Sequence, residues 1–526
     1  MFHGKNRIGN TLSAESTITV ASTNPKTGIA LAGSFHPATA NEVEKALAQA
    51  TIAYANYKQL SGLKKAAFLK AIAEEILNLG DTLVHCVMEE SALTEERVLT
   101  ERTRTVNQLL LFAQFIEDGS WVEASIDTAQ PDRKPFPKTD LRKMLIPIGP
   151  VVVFTASNFP LAYSTAGGDT VSALAAGNPV IVKAHELHLG TNELVGEAIY
   201  RAAEKTGMPE GVFSYLISSD FTVGKALVVH PQTKSVAFTG SFNGGMALYK
   251  AVSQREEPIP VFAEMGSVNP VIFLGEGIKS ETEKWVKAYR TSITTGAGQF
   301  CTKPGLLFGV KSEAFDIFIA ELGKQIATTA PTVMLNDRIA SNYRHRYKEV
   351  VEQQDVTVIT TRVAQQNESY PSLALISGKH FLASSAVQEE VFGPFSLVVK
   401  CESSEELMQA IAQLKGQLTG TIIGTATDLK NNVALVHLLE EKVGRIIFNG
   451  VPTGVEVCHA IHHGGPFPAT TDVRFTSVGP SAIQRFARPI CYQNCSDAFL
   501  PDALKNSNPL NIGRMVNGTF TTSKIE

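Results

Sequence analysis

Cysteine is scarce. Six thiols in 526 residues (Cys86, Cys301, Cys401, Cys458, Cys491 and Cys495) cannot make a disulfide framework and suit a reducing compartment. What they leave open is whether one of them is a nucleophile. A surplus of positive charge is also missing. The 47 Lys and Arg face 51 Asp and Glu, for a formal net charge of −4, so nothing gathers a phosphate backbone and nucleic acid is not an expected partner. Long apolar runs are absent too. The most apolar stretch, Ile146–Phe154, is broken by Pro147 and Pro150 and falls short of the ~18–20 residues that span a bilayer. The leading MFHGKNRIGNTLSAES has no apolar core of signal-peptide length, so a cytoplasmic protein with no membrane partner is expected. No repeat of about 20–50 residues is visible. What is there is ordinary globular composition, 44% hydrophobic and 19% charged, with 40 Gly and 25 Pro. At roughly 150 residues per domain the length holds about three to four domains' worth of mass.

The run Thr39-Ala40-Asn41-Glu42 reads as a capping box opening a helix, with apolar residues recurring at Val43, Ala46, Leu47 and Ala50. Helix is predicted again over Leu63–Leu79 and from about Asp81 to Ile116. The pattern then changes. Strands are predicted at Val151–Thr155, Val180–Lys183, Phe213–Ile217, Ser235–Thr239, Val261–Glu264 and Val271–Leu274. Helices at Ser164–Ala176, Leu189–Thr206, Thr222–His230 and Gly244–Ser253 lie between most of them. Alternation at this spacing, with strands apolar on both faces, argues for a doubly wound parallel sheet. A second alternating set follows. Its helices are predicted at Glu281–Thr295, Glu313–Thr328, Ser341–Gln353, Glu405–Leu414 and Leu429–Glu441. Its strands are predicted at Leu306–Val310, Val356–Thr361, Phe395–Val399, Gly420–Gly424 and Arg445–Asn449. Two α/β domains joined near Met265–Asn269 are expected. The charged, proline-bearing stretch Glu117–Arg142 interrupts the first, as a linker or as an arm reaching a neighbouring subunit. The last 20 or so residues read as a tail.

Ligands of open α/β sheets bind at the carboxyl ends of strands, so residues there are the first candidates. Asn158 follows the strand ending at Thr155; it can cap a turn or aim an amide at an oxyanion. Lys183 and Glu186 follow the next strand. An amine and a carboxylate there suit ribose hydroxyls, and an acid repels a 2′-phosphate; a solvated ion pair is the alternative. Gly240-Ser241 opens a glycine-rich turn into a helix, where backbone N–H groups can meet a pyrophosphate, although it is not GxGxxG. Glu264 ends an apolar run, where partial burial is expected to raise its pKa and make it a usable base. Glycines crowd the approach to Cys301 in Gly296-Ala297-Gly298-Gln299-Phe300-Cys301, so the backbone can come close to a ligand and a nearby N–H can hold an oxyanion. Glu390 with Phe392 suits a second ribose and a flat ring. Cys458, His459, His462 and His463 cluster, but without the paired spacing of a metal site, so no metal is expected.

Singly these signals are weak; their order is not. Asn158, Lys183 with Glu186, the Phe238–Ser241 turn, Glu264, Cys301 and Glu390-x-Phe392 resemble, in order and approximate spacing, the aldehyde dehydrogenase superfamily over about residues 20–500. The resemblance implies an α/β fold of two Rossmann-like doubly wound domains plus a small oligomerisation arm. It places an NAD(P)-binding domain at 1–122 and 146–266, a catalytic domain at 267–466, an oligomerisation element at 123–145 and 482–498, and a C-terminal tail at 506–526. It implies Cys301 as nucleophile, Glu264 as general base, and Asn158 with the Cys301 N–H as oxyanion donors. Lys183 and Glu186 would hold the adenosine ribose, Gly240 and Ser241 the pyrophosphate turn, and Glu390 and Phe392 the nicotinamide ribose. A homodimer or homotetramer acting on a small aldehyde is implied. Gly296–Gly305, Gly464–Thr470 and Arg488–Gln493 are similar to the branch of 2,5-dioxovalerate (α-ketoglutarate semialdehyde) dehydrogenases, with NADP-dependent fatty-aldehyde dehydrogenases the nearest alternative. Glu186 points to NAD, with NADP use open. A CoA-acylating relative is disfavoured by Glu264, and a non-enzymatic one by the retained set. Arg290, Arg102 and Arg104 are candidate cations for a substrate's distal carboxylate.

Overall fold

In the computed structural model, which describes residues 2–360 and 367–526, a helical layer made by Ala40–Tyr57, Gly62–Asn78, Gly80–Ser91 and Glu95–Asp118 covers the first sheet. The capping box at Thr39 forms as read: its hydroxyl accepts from Glu42 N, and the Glu42 carboxylate accepts from Thr39 N. The single helix expected over Asp81–Ile116 is two, because Ala92 adopts left-handed φ +57° and ends the first of them.

The first sheet orders its strands as Thr11–Ser13, Asn6–Ile8, Phe213–Leu216, Val180–Lys183, Val151–Phe154, Ser235–Thr239 and Val261–Glu264. The last five run parallel. Val151–Val153 and Val180–Val182 are buried, as strands covered by helices on both faces must be. The two N-terminal strands pair antiparallel at one edge and were not legible, being three residues each and polar.

The second sheet runs Thr357–Thr360, Ser372–Ser377, Phe395–Cys401, Leu306–Val310, Val271–Phe273, Gln417–Ile423, Val443–Phe448. All are parallel except the antiparallel edge Thr357–Thr360. Thr361, at the end of an expected strand, lies outside the described residues. Ser372–Ser377 has no counterpart among the expected strands, and Leu429–Glu441 is two short helices, Ala426–Asn431 and Val433–Glu440. The chain passes from one sheet to the other between Glu264 and Val271, close to the expected junction.

Residues 117–147 form an ordered arm. A third sheet, of five strands, orders Ala487–Gln493, Leu141–Pro147, Ser125–Asp127, Arg514–Val516 and Thr519–Thr521. The reading of 506–526 as a tail is therefore corrected. Asn517 and Gly518, at φ +49° and +81°, turn a hairpin whose first strand donates from Met515 N to Ala124 O (3.0 Å) and is followed by Asn517 N to Ile126 O (2.8 Å). Arg514 is buried and donates to the carbonyls of Lys505 and Ser523. Asn-Gly between short β-rich runs is the signal that identifies such a turn. Among the described residues no helix is long and apolar enough to cross a membrane.

Candidate active site

Parallel strands put their carboxyl ends at one rim of the first sheet. Asn158, Lys183, Glu186, Gly240, Ser241 and Glu264 all lie there, at or just beyond the ends of four neighbouring strands. The second sheet brings Cys301 to the same place on a loop between the helix Thr282–Thr294 and the strand Leu306–Val310.

That loop is tightly held. Gly296, Ala297 and Gly298 all have left-handed φ (56°, 55° and 64°). A Cβ on Gly298 would stand 2.4 Å from the Gly393 carbonyl oxygen, so only glycine fits there. Asn269 was not singled out in the sequence, yet its Nδ2 donates to the carbonyls of Cys301 (2.8 Å) and Lys303 (3.0 Å). Its Oδ1 accepts from Ser267 and Thr419.

Cys301, Glu264 and His463 form the centre. His463 Nε2 lies 3.5 Å from Cys301 Sγ and 3.1 Å from Glu264 Oε1. One side-chain heteroatom from each residue falls within 4.8 Å of the others. Ser477 Oγ donates to the other Glu264 oxygen. The sequence had offered His463 only as part of a metal cluster with Cys458, His459 and His462. The structure breaks that cluster apart: His459 packs its ring on Phe115 while His463 is buried beside Glu264. Histidine so near a thiol in space but 162 residues away in sequence leaves no local signal.

Glu264 departs from expectation. Burial pushes its carboxyl up, but the charge of His463 and hydrogen bonds from His463 and Ser477 outweigh burial and hold it below the usual range. It rests ionised. The Cys301 thiol moves the other way, raised well above its ordinary value by burial and then by the Glu264 charge, with Arg104 opposing. The Asn158 amide donates to Gln299 O (3.0 Å), beside the nucleophile; an amide has two N–H groups, so one is left for a substrate oxygen.

Away from this centre the rim suits a dinucleotide. Lys183 Nζ and Arg338 Nη2 each lie 3.3 Å from a Glu186 oxygen. Burial opposes ionisation of Glu186, but the adjacent His185, Lys183 and Arg338 hold its carboxyl below the usual range, so a carboxylate and an amine stand side by side there. Ser241 caps the helix Phe242–Ser253 by accepting from Gly244 N (3.2 Å), which fixes the Gly240 turn. Glu390 comes from the second sheet's side. A Cβ on Gly266 would meet its Oε2 at 2.3 Å, so Gly266 makes room for this carboxylate. Burial pushes Glu390 up to about 7 against the charge of Lys303 and a hydrogen bond from the Ser267 backbone. Phe392 is half-buried next to it in sequence. The donor set fits a nicotinamide dinucleotide: an ionised acid with an amine for one ribose, a helix start for phosphate, and a second acid for the other ribose.

The chain matches the model of the aldehyde dehydrogenase family over residues 12–466. It is 46% identical to alpha-ketoglutaric semialdehyde dehydrogenase 2 of Azospirillum brasilense, covering 98% of this chain and 99% of that one. It is 46% identical to alpha-ketoglutaric semialdehyde dehydrogenase of Acinetobacter baylyi, covering 93% of each. Its fold is like that of a betaine aldehyde dehydrogenase from Staphylococcus aureus bound to NAD+, at a TM-score of 0.80 and 19% identity, covering 94% and 97% of the two chains.

Proposed function

The chain belongs to the aldehyde dehydrogenase family, an NAD(P)-dependent class of aldehyde-oxidising enzymes, and from that premise we propose that it oxidises 2,5-dioxopentanoate, the semialdehyde of 2-oxoglutarate, to 2-oxoglutarate. Two observations support the reading. For the chemistry it is the meeting of Cys301, Glu264 and Asn158 from separate elements at one strand-end rim. For the substrate it is near-full-length similarity to two enzymes named for that semialdehyde.

In this reading residues 1–122 and 146–266 hold the dinucleotide and residues 267–466 carry the nucleophile. The Cys301 thiol gives its proton to the Glu264–His463 pair as sulfur bonds to the aldehyde carbon. Handing over the proton at that moment matters because the resting thiol is held well above its usual pKa. The oxygen that gains charge is met by the Asn158 amide and the Cys301 N–H. When bound, the nicotinamide ring supplies the hydride acceptor that leaves a Cys301 thioester. Once the first proton has passed to solvent, Glu264 is again ionised and takes a proton from water; the hydroxide bonds to the thioester carbon, the carbon–sulfur bond breaks with the Cys301 thiolate leaving, and the carboxylate is released. Lys183, Glu186, the Gly240–Ser241 turn, Glu390 and Phe392 would hold the cofactor. NAD is preferred, because an ionised Glu186 repels a 2′-phosphate. The arm sheet, separate from both domain sheets, with Ala487–Gln493 along one edge, supports self-association into a homodimer or homotetramer.

Steady-state rates with 2,5-dioxopentanoate and with a long-chain aldehyde, each under NAD and NADP, test this. The semialdehyde with NAD should give the highest kcat/KM; higher kcat/KM for the long-chain aldehyde would discard the substrate, and for NADP the cofactor preference. A pH effect follows as well. Glu390 accepts a ribose hydroxyl more strongly when ionised, and its pKa is raised to about 7, so NADH should bind several-fold tighter as pH rises from about 6 to about 8. Fluorescence titration measures it, and a flat profile would remove Glu390 from the cofactor site.

A further inference from the structure

Of the residues Cys458, His459, His462 and His463, only His463 joins a group of three metal-ligating side chains among the described residues. Its companions are Cys301 and Glu264. The three come from separate segments of chain, and each offers one atom: the thiol sulfur, the ring Nε2 and the carboxylate Oε1. His463 and Glu264 are buried, and Cys301 is partly exposed. An opening that admits an aldehyde to the sulfur admits a small ion as well.

The spacing of these atoms is that of a tetrahedral zinc site. Bonds of about 2.3 Å to sulfur and about 2.0 Å to nitrogen and oxygen, at tetrahedral angles, put sulfur and nitrogen about 3.5 Å apart and nitrogen and oxygen about 3.3 Å apart. The structure has 3.5 Å and 3.1 Å, and no two of the three atoms are more than 4.8 Å apart. Hydrogen bonding alone leaves this arrangement short. Nε2 carries at most one proton, so it cannot fully satisfy a thiol and a carboxylate together. A cation set between the three atoms engages all of them.

The charges suit such an ion. A thiolate and a carboxylate cancel the two charges of Zn2+, as a buried site requires. Ser477 Oγ occupies the other Glu264 oxygen and leaves Oε1 free for metal. Three protein ligands keep the fourth position for water, the pattern of open zinc sites. Mg2+ and Ca2+ want six or more oxygens and do not suit a sulfur, nitrogen and oxygen set. One support of a resident zinc is missing. Metal-binding histidines donate their second ring N–H to a partner, and losing that partner costs about 10–100-fold in affinity. His463 Nδ1 is buried and has no hydrogen-bond partner among the described residues. The site is therefore one an ion enters and leaves.

We propose that Cys301, His463 and Glu264 form a reversible inhibitory site for Zn2+. Binding forms zinc–sulfur, zinc–nitrogen and zinc–oxygen bonds, and the protons on the thiol and on Nε2 leave to solvent. The inhibition rests on the nucleophile and base assigned above: the ion takes the sulfur's attacking electron pair and the oxygen that would accept a proton from water. Zn2+ and aldehyde exclude each other, and a chelator restores the enzyme.

The test separates binding from activity. Calorimetry measures Zn2+ binding to the wild type, Cys301→Ala, His463→Gln and Cys458→Ser, and Co2+ in its place reads the thiolate-to-metal charge-transfer band. The wild type should show that band, lose NADH formation from 2,5-dioxopentanoate as Zn2+ binds, and regain it with EDTA. Cys301→Ala should abolish the band. Both Cys301→Ala and His463→Gln should weaken Zn2+ binding at least about 100-fold, more than a lost outer partner costs. Cys458→Ser should bind as the wild type does. NADH fluorescence checks that each variant is folded. No binding to the wild type at about 1 mM Zn2+, a limit of only about −4 kcal/mol, overturns the site. Unchanged binding in His463→Gln, or its loss in Cys458→Ser, overturns it as well. Zn2+ bound with the charge-transfer band present and oxidation untouched would overturn the inhibition, and with it the assignment of Cys301 as nucleophile.

Discussion

Replacing Cys301 with alanine is expected to lower aldehyde oxidation by about four orders of magnitude or more, to the background of the assay. No other thiol can stand in. Cys86 is buried against Glu90 and Thr191, and Cys401 is buried with its pKa pushed up to about 12 by burial and then by Glu406. Cys491 lies in the arm sheet and Cys495 just beyond it, away from either domain sheet. Cys458 belongs to the segment from which only His463 reaches Glu264. The side chain removed is small and its loop is held by backbone contacts from Asn269, so the fold and the NADH site should survive. NADH formation with saturating semialdehyde measures the loss, and NADH fluorescence checks that the cofactor still binds. Residual turnover within about tenfold of wild type would remove Cys301 from the chemistry.

Glu264→Gln should separate the two halves of the reaction. Acylation needs the thiol, the oxyanion donors and an acceptor for the thiol proton, which His463 Nε2, 3.5 Å from the sulfur, still offers when Glu264 is replaced; release needs a base for water. Losing that base costs typically about 10²–10⁴ in rate, so one equivalent of NADH per site should appear rapidly and then production should stall. The thiol should respond in the opposite sense. The Glu264 charge is one of the causes that raise the Cys301 pKa, so neutralising it lowers that pKa. At any pH below the thiol's own pKa, more of it is then thiolate and iodoacetamide should inactivate Glu264→Gln faster than the wild type. A stopped-flow trace without a burst, or slower alkylation, would contradict the assigned role.

The strands of both sheets were legible where they are apolar on two faces, as at Val151–Phe154 and Val261–Glu264, because burial leaves no choice of residue. Strands that lean on neighbours were not: Asn6–Ile8 is a strand because it pairs with Thr11–Ser13 on one side and with the edge of Phe213–Leu216 on the other. The same divide runs through the site. Cys301, Asn158 and Glu390 sit in local patterns of glycine, proline and strand ends. Asn269, His463 and Ser477 act through contacts that close over 32, 162 and 213 residues, and a window of neighbouring residues carries no trace of these. The pKa of Glu264 was read the wrong way for that reason. Burial is written in the apolar run around it; the histidine and serine that overrule burial are not.

The short crossing from Glu264 to Val271 has a mechanical meaning. Glu264 ends the last strand of one sheet, Gly266 touches Glu390, and Asn269 clasps the carbonyls of Cys301 and Lys303. The chain that joins the two halves of the molecule therefore runs through the reacting groups themselves, and the residues that fasten one sheet to the other are the same ones that set the carboxylate and the nucleophile's loop in place.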